Sequence, residues 1–355
     1  MKLLFLSTPV GPLGSGLGGG VELTLLNLAM GMLRRGYSLQ VVAPKGSISP
    51  QVPIVEIEGN LQLTAQTQQR TDPIMLPDRA VLAEMWEYAR QTQSQYDLIV
   101  NFAYDWLPFY LTPFFERPIA HLVSMGSLMD AMDTAIAQVI EQFPGTIGVH
   151  SRAQAETFAF ADRCRCLGNG FDLSAYQFCE KPGEALAWVG RIAPEKGLED
   201  AVVAAKLAAV PLQIFGVIQD EVYWKKINRD HSDAPMTYQG FLPTTQLQQA
   251  LGECRALLMT PHWVEAFGNV AIEAMACGVP VIAYRRGGPS EIVQDGKTGW
   301  LVEPDQVAGL VDAIARIDQI DRLTCRQHVE AVYSLDAMGD RVDAWFQDIV
   351  HSLGA

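Results

Sequence analysis

Two glutamates, Glu265 and Glu273, bracket the stretch Phe267-Gly268-Asn269-Val270. The run from Gly268-Asn269 to Gly278, with Pro280 beyond it, reads as a helix followed by its stop. At a helix start, four backbone N–H groups lack intrahelical partners and sit at the positive end of the dipole, so 267–270 offers a seat for a phosphate. Gly268 lets a ligand come close. The carboxylates, one before the helix and one on its second turn, can accept hydrogen bonds from sugar hydroxyls, and phosphate beside sugar suggests a nucleotide sugar. A glycosidase pair would need a separation of roughly 5–9.5 Å. Eight helical residues at about 1.5 Å rise give roughly 12 Å, which speaks against a hydrolase. The same residues also fit an ordinary amphipathic helix, with Val270, Ala271, Ala274 and Met275 inward and both glutamates solvated.

The elements that must position this stretch follow from the pattern. At 355 residues the chain exceeds the usual single core, so two domains are expected. Lys2 to Ser7 reads as a strand, Gly11 to Gly20 as a glycine-rich loop, Val21 to Arg35 as a helix and Leu39 to Ala43 as the next strand, a βαβ unit. Gly14, Gly16 and Gly19 match G-x-G-x-x-G. The first of them lies well past the strand, however, and the second strand ends in Ala43-Pro44-Lys45 without an acidic residue for a ribose, so a nicotinamide site is rejected. Residues 46–80 read as a surface excursion with one or two short strands, 81–93 as a helix and 96–101 as a strand. An aromatic cluster follows at the strand's C-terminal end, with Tyr104, Asp105, Trp106 and Phe109. Ile119 to Val123 is another strand, placing His121 at the same edge, where ligands bind in open α/β sheets. No element is assigned between Ser127 and Gly148. Beyond a short strand at 148–151, a helix at 153–160 and a strand near 165, the pattern restarts at Ala185. From there strands and helices alternate to a last helix at 335–353, so the fold class is α/β with two doubly wound domains. The expected boundaries are 1–168 and 169–334, with 335–355 returning to the first domain.

The formal charge of −14 argues against nucleic acid and anionic membrane as partners. The six cysteines lack zinc-site spacing and read as reduced cytoplasmic thiols. The N-terminal apolar run is short for a signal peptide, and no stretch is long enough to span a bilayer.

Gly190-Arg191, Glu195-Lys196-Gly197 and Glu265-x7-Glu273, in that order on one chain, resemble the retaining family 4 glycosyltransferases of GT-B fold. The resemblance covers nearly the whole chain: Gly19-Gly20-Val21-Glu22 is similar to the family's first-domain loop, and Asn169-Gly170-Phe171-Asp172 to the start of its second domain. The stretches 7–24, 101–115 and 121–127 are similar, more narrowly, to cyanobacterial glucosyltransferases that join UDP-glucose to tetrahydrobiopterin. The resemblance implies that Arg191 and Lys196 neutralise the leaving diphosphate, a charge that grows in the transition state and rewards fixed cations. It implies that Glu273 holds the ribose, that Glu265 contacts the transferred sugar, and that Gly268, Asn269 and Val270, next to Phe267, give backbone N–H groups to phosphate. His121 would then lie by the sugar's far hydroxyl, and Gly19 and Gly20 by the reacting centre. No metal or other cofactor is implied.

The function expected is retaining transfer of glucose from UDP-glucose to a small soluble acceptor, tetrahydrobiopterin in the first instance, in a cleft between the domains. Tyr104, Asp105, Trp106 and Phe109 are the expected acceptor site. Rival readings are a family 4 enzyme with another sugar or with a lipid or sugar-phosphate acceptor, and a nucleotide-sugar-binding protein without catalysis. The helix at 21–35 carries only Arg34 and Arg35 as cations, which lowers the lipid reading.

Overall fold

A computed structural model describes residues 1–15, 19–65 and 68–353. They form two compact units, Met1–Phe171 with Leu335–Ala355, and Asp172–Ser334. The division thus falls just past the expected 168/169 crossing.

The first unit is a seven-stranded parallel sheet in the order β3-β2-β1-β4-β5-β6-β7. Its strands are β1 (Lys2–Leu6), β2 (Ser38–Pro44), β3 (Ile54–Ile57), β4 (Leu98–Asn101), β5 (Ile119–Leu122), β6 (Ile147–Val149) and β7 (Arg165–Cys166). Both faces are covered, so β1 is apolar at nearly every position and its side chains alternate between two cores. Leu3 and Phe5 pack with Leu25, Leu28 and Met32 of α1 (Gly20–Arg34) and with Met338, Trp345 and Phe346 of α13 (Leu335–Leu353). Leu4 and Leu6 pack with Val81, Met85 and Trp86 of α2 (Val81–Thr92). The last helix is fastened by polar contacts as well: Trp345 donates to the Gly145 carbonyl at 2.7 Å, and Arg341 to that of Leu167 at 2.7 Å.

Three further helices of this unit differ from the sequence reading. α3 (Trp106–Leu111) turns the aromatic cluster into a helix, and α4 (Asp130–Gln142) occupies the unassigned stretch. The apolar spacing of α4, with Met132, Ala135, Ile136, Val139 and Ile140 buried, is the ordinary helical stripe. α5 (Arg152–Ala155) is one turn, capped by Ser151, and stops short of the expected 160.

The second unit is a six-stranded parallel sheet, β10-β9-β8-β11-β12-β13. The strands are β8 (Leu186–Val189), β9 (Leu212–Phe215), β10 (Met236–Gly240), β11 (Ala256–Met259), β12 (Val281–Tyr284) and β13 (Gly299–Val302). The helices are α6 (Leu198–Ala208), α7 (Glu221–Asp230), α8 (Thr244–Gly252), α9 (Asn269–Ala276), α10 (Pro289–Ile292), α11 (Val307–Ala315) and α12 (Arg322–Val332). β13 was not expected, because it opens on a glycine, ordinarily a weak strand former. The packing explains that residue: a Cβ on Gly299 would lie 1.8 Å from the Val281 carbonyl oxygen. Among the described residues no helix is long and apolar enough to cross a membrane.

Candidate functional site

All strands of the second unit run parallel, so their C-terminal ends share one edge, where ligands of open α/β sheets bind. β8 ends on Gly190-Arg191 and β11 on the loop from Thr260 to Gly268. The two loops are stitched together: His262 N–H donates to the Glu195 carbonyl at 2.9 Å, and Thr260 Oγ1 to that of Gly197 at 2.7 Å. Gly197 has φ 66°, and a Cβ there would lie 1.8 Å from the Thr260 oxygen, so only glycine allows this approach.

The stitching brings Lys196 to Glu265. Lys196 Nζ donates to Glu265 Oε2 at 2.5 Å, and the side chains of both are about four-fifths buried. Trp263 joins them: its indole N–H donates to the same oxygen at 3.0 Å, and the ammonium lies 4.8 Å from the ring centroid. Burial pushes the Glu265 carboxyl up, but the Lys196 charge and hydrogen bond, with help from Trp263 and Arg191, outweigh it and hold the carboxyl below its ordinary value. Arg191 is similarly engaged, by Gln219 and by Glu195 at 3.1 Å. Each cation of the expected clamp therefore rests on a carboxylate.

The stretch after Glu265 is supported from behind. Gly288 N–H donates to the Glu265 carbonyl at 2.7 Å, and a Cβ on Gly288 would lie 2.2 Å from the Phe267 oxygen. The local sequence signal for this support is the Gly287-Gly288 pair just past the end of β12. Gly268, with φ 102°, precedes α9, and Asn269 and Val270 open it, so the helix start falls where the spacing put it. Phe267 is buried, its ring edge-on to Tyr333 at 6.0 Å. Glu273 is buried on the second turn of α9 and accepts a hydrogen bond from Tyr176 at 3.1 Å. Burial lifts its carboxyl to about 7, which the Tyr176 bond only partly opposes. Tyr176 was not singled out, since nothing in its local sequence marks it.

Asp200, His262 and Asp305 bring potential metal-ligand atoms within 4.8 Å of one another. Each acidic member already has a partner: Tyr284 donates to Asp200 at 2.6 Å, and Arg286 holds Asp305 through both terminal nitrogens, at 3.1 and 2.6 Å.

The first-unit candidates divide. His121 is wholly buried at the end of β5, and its ring stacks on Phe109 at 4.3 Å. The Asn101 amide donates to Nδ1 at 3.2 Å, so Nε2 carries the proton and donates to Thr112 Oγ1 at 2.9 Å. Burial lowers the pKa to about 3, and the imidazole stays neutral. His121 is thus a satisfied interior group, buried and bonded at both ring nitrogens. Phe109 is likewise interior, its ring stacked on His121, and Trp106 one turn back on α3 packs against the same apolar cluster. Trp106 stacks on Tyr110 at 4.4 Å, and Tyr110 meets Phe114 at 5.7 Å, the last two being largely exposed. Tyr104 is buried, its oxygen accepting the Leu128 N–H at 3.3 Å. Asp105 caps α3 by accepting from Leu107 N–H at 3.2 Å and takes a second bond from the Gln62 amide at 2.9 Å. A cavity of only about 30 Å³ adjoins Tyr104, Asp105 and Trp106, room for one or two waters. Gly19 and Gly20 are exposed at the start of α1, and Glu22 of that helix accepts the Gly14 N–H at 2.9 Å. Gly16 lies outside the described residues.

Residues 179–328 match the family model for glycosyl transferases, group 1, a span that lies within the second unit and holds Arg191, Lys196, Glu265 and Glu273. A glycogen synthase of Mycobacterium tuberculosis is 32% identical over 162 residues, 42% of this chain and 39% of that protein. A D-inositol 3-phosphate glycosyltransferase of Rhodococcus erythropolis is 26% identical over 84% of this chain and 78% of its own length. The chain spans only about a third to two fifths of the length of some curated relatives it matches, 35% and 39% in two cases. Among solved structures, Anabaena HepE in complex with UDP and glucose superposes with a TM-score of 0.77 at 19% identity, covering 98% of this chain and 99% of that one. The second unit thus matches the group 1 glycosyl transferase model over most of its length, and the chain has the GT-B fold.

Proposed function

We propose that the chain is a retaining hexosyltransferase that moves glucose from UDP-glucose to a small soluble acceptor, with the pterin tetrahydrobiopterin as the leading candidate. The observation that carries the reading is the Lys196–Glu265–Trp263 cluster at the strand edge beside the start of α9, inside the span matched by the group 1 family. HepE, of the same fold, is described in complex with UDP and with glucose, which favours a uridine nucleotide sugar as donor. In this reading the diphosphate takes Arg191 and Lys196 away from Glu195 and Glu265. The α9 backbone N–H groups add a fixed positive dipole, and the growing phosphate charge is stabilised without reorganisation. Glu265, released from Lys196, accepts from a sugar hydroxyl, and Glu273 from the ribose. The leaving phosphate helps take the acceptor proton on the face it departs from, so configuration is retained. Positive charge from side chains and helix does the work of a divalent ion, and the reaction needs none.

On the first unit the acceptor reading now rests on Trp106 with Tyr110, a flat aromatic surface, and on Asp105 with Gln62 as polar handles beside it. All six cysteines are free thiols, which suits a reducing cytoplasm. The test is a turnover assay with UDP-glucose and tetrahydrobiopterin, following UDP release and the pterin glucoside. UDP release without a pterin glucoside redirects the acceptor search to sugar phosphates and lipids. UDP-glucose binding without any turnover leaves a nucleotide-sugar-binding protein.

A further inference from the structure

We propose that Trp263 is a positioning residue: it holds the Glu265 carboxylate in place for the sugar while Lys196 turns to the phosphate. The inference rests on the nucleotide-sugar reading above. Lys196 Nζ and Trp263 Nε1 share one oxygen, Glu265 Oε2, at 2.5 and 3.0 Å, and no bond to Oε1 is made among the described residues. Lysine is a point charge on a flexible stem and can swing to an arriving anion. The indole N–H is a single donor with one direction, on a ring that rotates about only two bonds. Its loop is fixed through the neighbouring residue, whose N–H binds Glu195. When Lys196 leaves, a carboxylate four-fifths buried would lose its charged partner, which is costly unless another donor remains. Trp263 is that donor, and it keeps Oε2 occupied so that Oε1 faces the ligand. The same ring offers its π-face to the Lys196 ammonium, so one side chain serves the pair in two chemically separable ways.

The separation makes the test. Trp263→Phe keeps the ring face and removes the N–H; Trp263→Leu removes both. With Trp263→Phe we expect kcat for glucose transfer to fall about tenfold while the UDP dissociation constant, by calorimetry, stays within about twofold of the parent. Trp263→Leu should also weaken UDP binding, by roughly threefold. In a Glu265→Gln background the Phe substitution should add less than about twofold, because the two residues act through one another. An unchanged kcat in Trp263→Phe overturns the proposal. So does a loss that multiplies equally in both backgrounds and tracks a lowered unfolding midpoint, since that makes Trp263 structural. A parent protein that neither binds UDP nor hydrolyses or transfers glucose from UDP-glucose removes the donor reading itself, an outcome seen before any variant is made.

Discussion

At the ends of β8 and β11 the second unit sets Arg191, Lys196 and Glu265, charged groups that rest on carboxylate or ammonium partners. At the ends of β4 and β5, the equivalent edge of another parallel sheet, the first unit sets Asn101 and His121, paired side by side in the sheet, uncharged and without access to solvent. The positions are alike and the electrostatics opposite. In the second unit each charge has an oppositely charged partner, and the Glu265 carboxyl is held low despite burial. A polar group meant for the interior is neutral and fully bonded, as His121 is. Position at a strand end therefore nominates a residue, and the character of its partners sets its charge.

The comparison breaks most readily at Lys196. Alanine there, or at Arg191, should lower kcat/KM for UDP-glucose by about one to two orders of magnitude, the loss of a charge-assisted bond from a transition state. Rates within twofold of the parent would put the clamp elsewhere. The interior side is tested by Phe109→Ala, expected to cost about 3–5 kcal/mol of stability by denaturant unfolding, with little change in either KM. Glu273 sharpens the contrast through pH. Its carboxyl is raised to about 7 in the fold against an ordinary value near 4.5, so the stability it contributes is complete at acid pH and is lost as pH rises through about 7. The loss is on the order of 3 kcal/mol. Thermal midpoints between pH 5 and 8 should fall for the parent and stay flatter for Glu273→Gln; parallel curves would show that Glu273 does not titrate there. Trp106→Ala should raise the acceptor KM up to about tenfold and leave that for UDP-glucose unchanged, and equal shifts in both would remove the acceptor surface from α3. The smallest effect is expected from chelation: the rate should persist in excess EDTA, and loss restored by magnesium or manganese would turn attention to Asp200, His262 and Asp305.

How much of this was legible in the sequence depended on where the information sits. The α/β alternation and the start of α9 are local, written in apolar runs and glycines, and the structure has them where the spacing put them. The pairing of Lys196 with Glu265 is not local: it exists because Gly197 lets one loop approach another, and no period in the sequence reports that. The arrangement of the aromatic cluster was hidden for a related reason. Along an extended chain Phe109 would face away from Tyr104, Trp106 and Tyr110; in the helix capped by Asp105, Trp106, Phe109 and Tyr110 lie on adjoining rows, with Phe109 stacked inside on His121 and Tyr110 outside on Trp106. Asp105 before Trp106 was a readable N-cap, but its weight depends on knowing that a helix follows. β13 and the helix α4 were missed differently, the first because its glycine is explained only by the neighbouring strand, the second because a plain helical stripe was passed over.

The course of the chain through its units carries a consequence for biosynthesis. The second unit is one uninterrupted stretch, 172–334, and can fold as it leaves the ribosome. The first cannot be completed then, because the face of α1 that carries Leu25, Leu28 and Met32 waits for Met338, Trp345 and Phe346 of α13. The interval is about 300 residues of translation, roughly 15 to 60 seconds at ordinary elongation rates. Through that time the apolar face of α1 stays uncovered, a natural client surface for a chaperone.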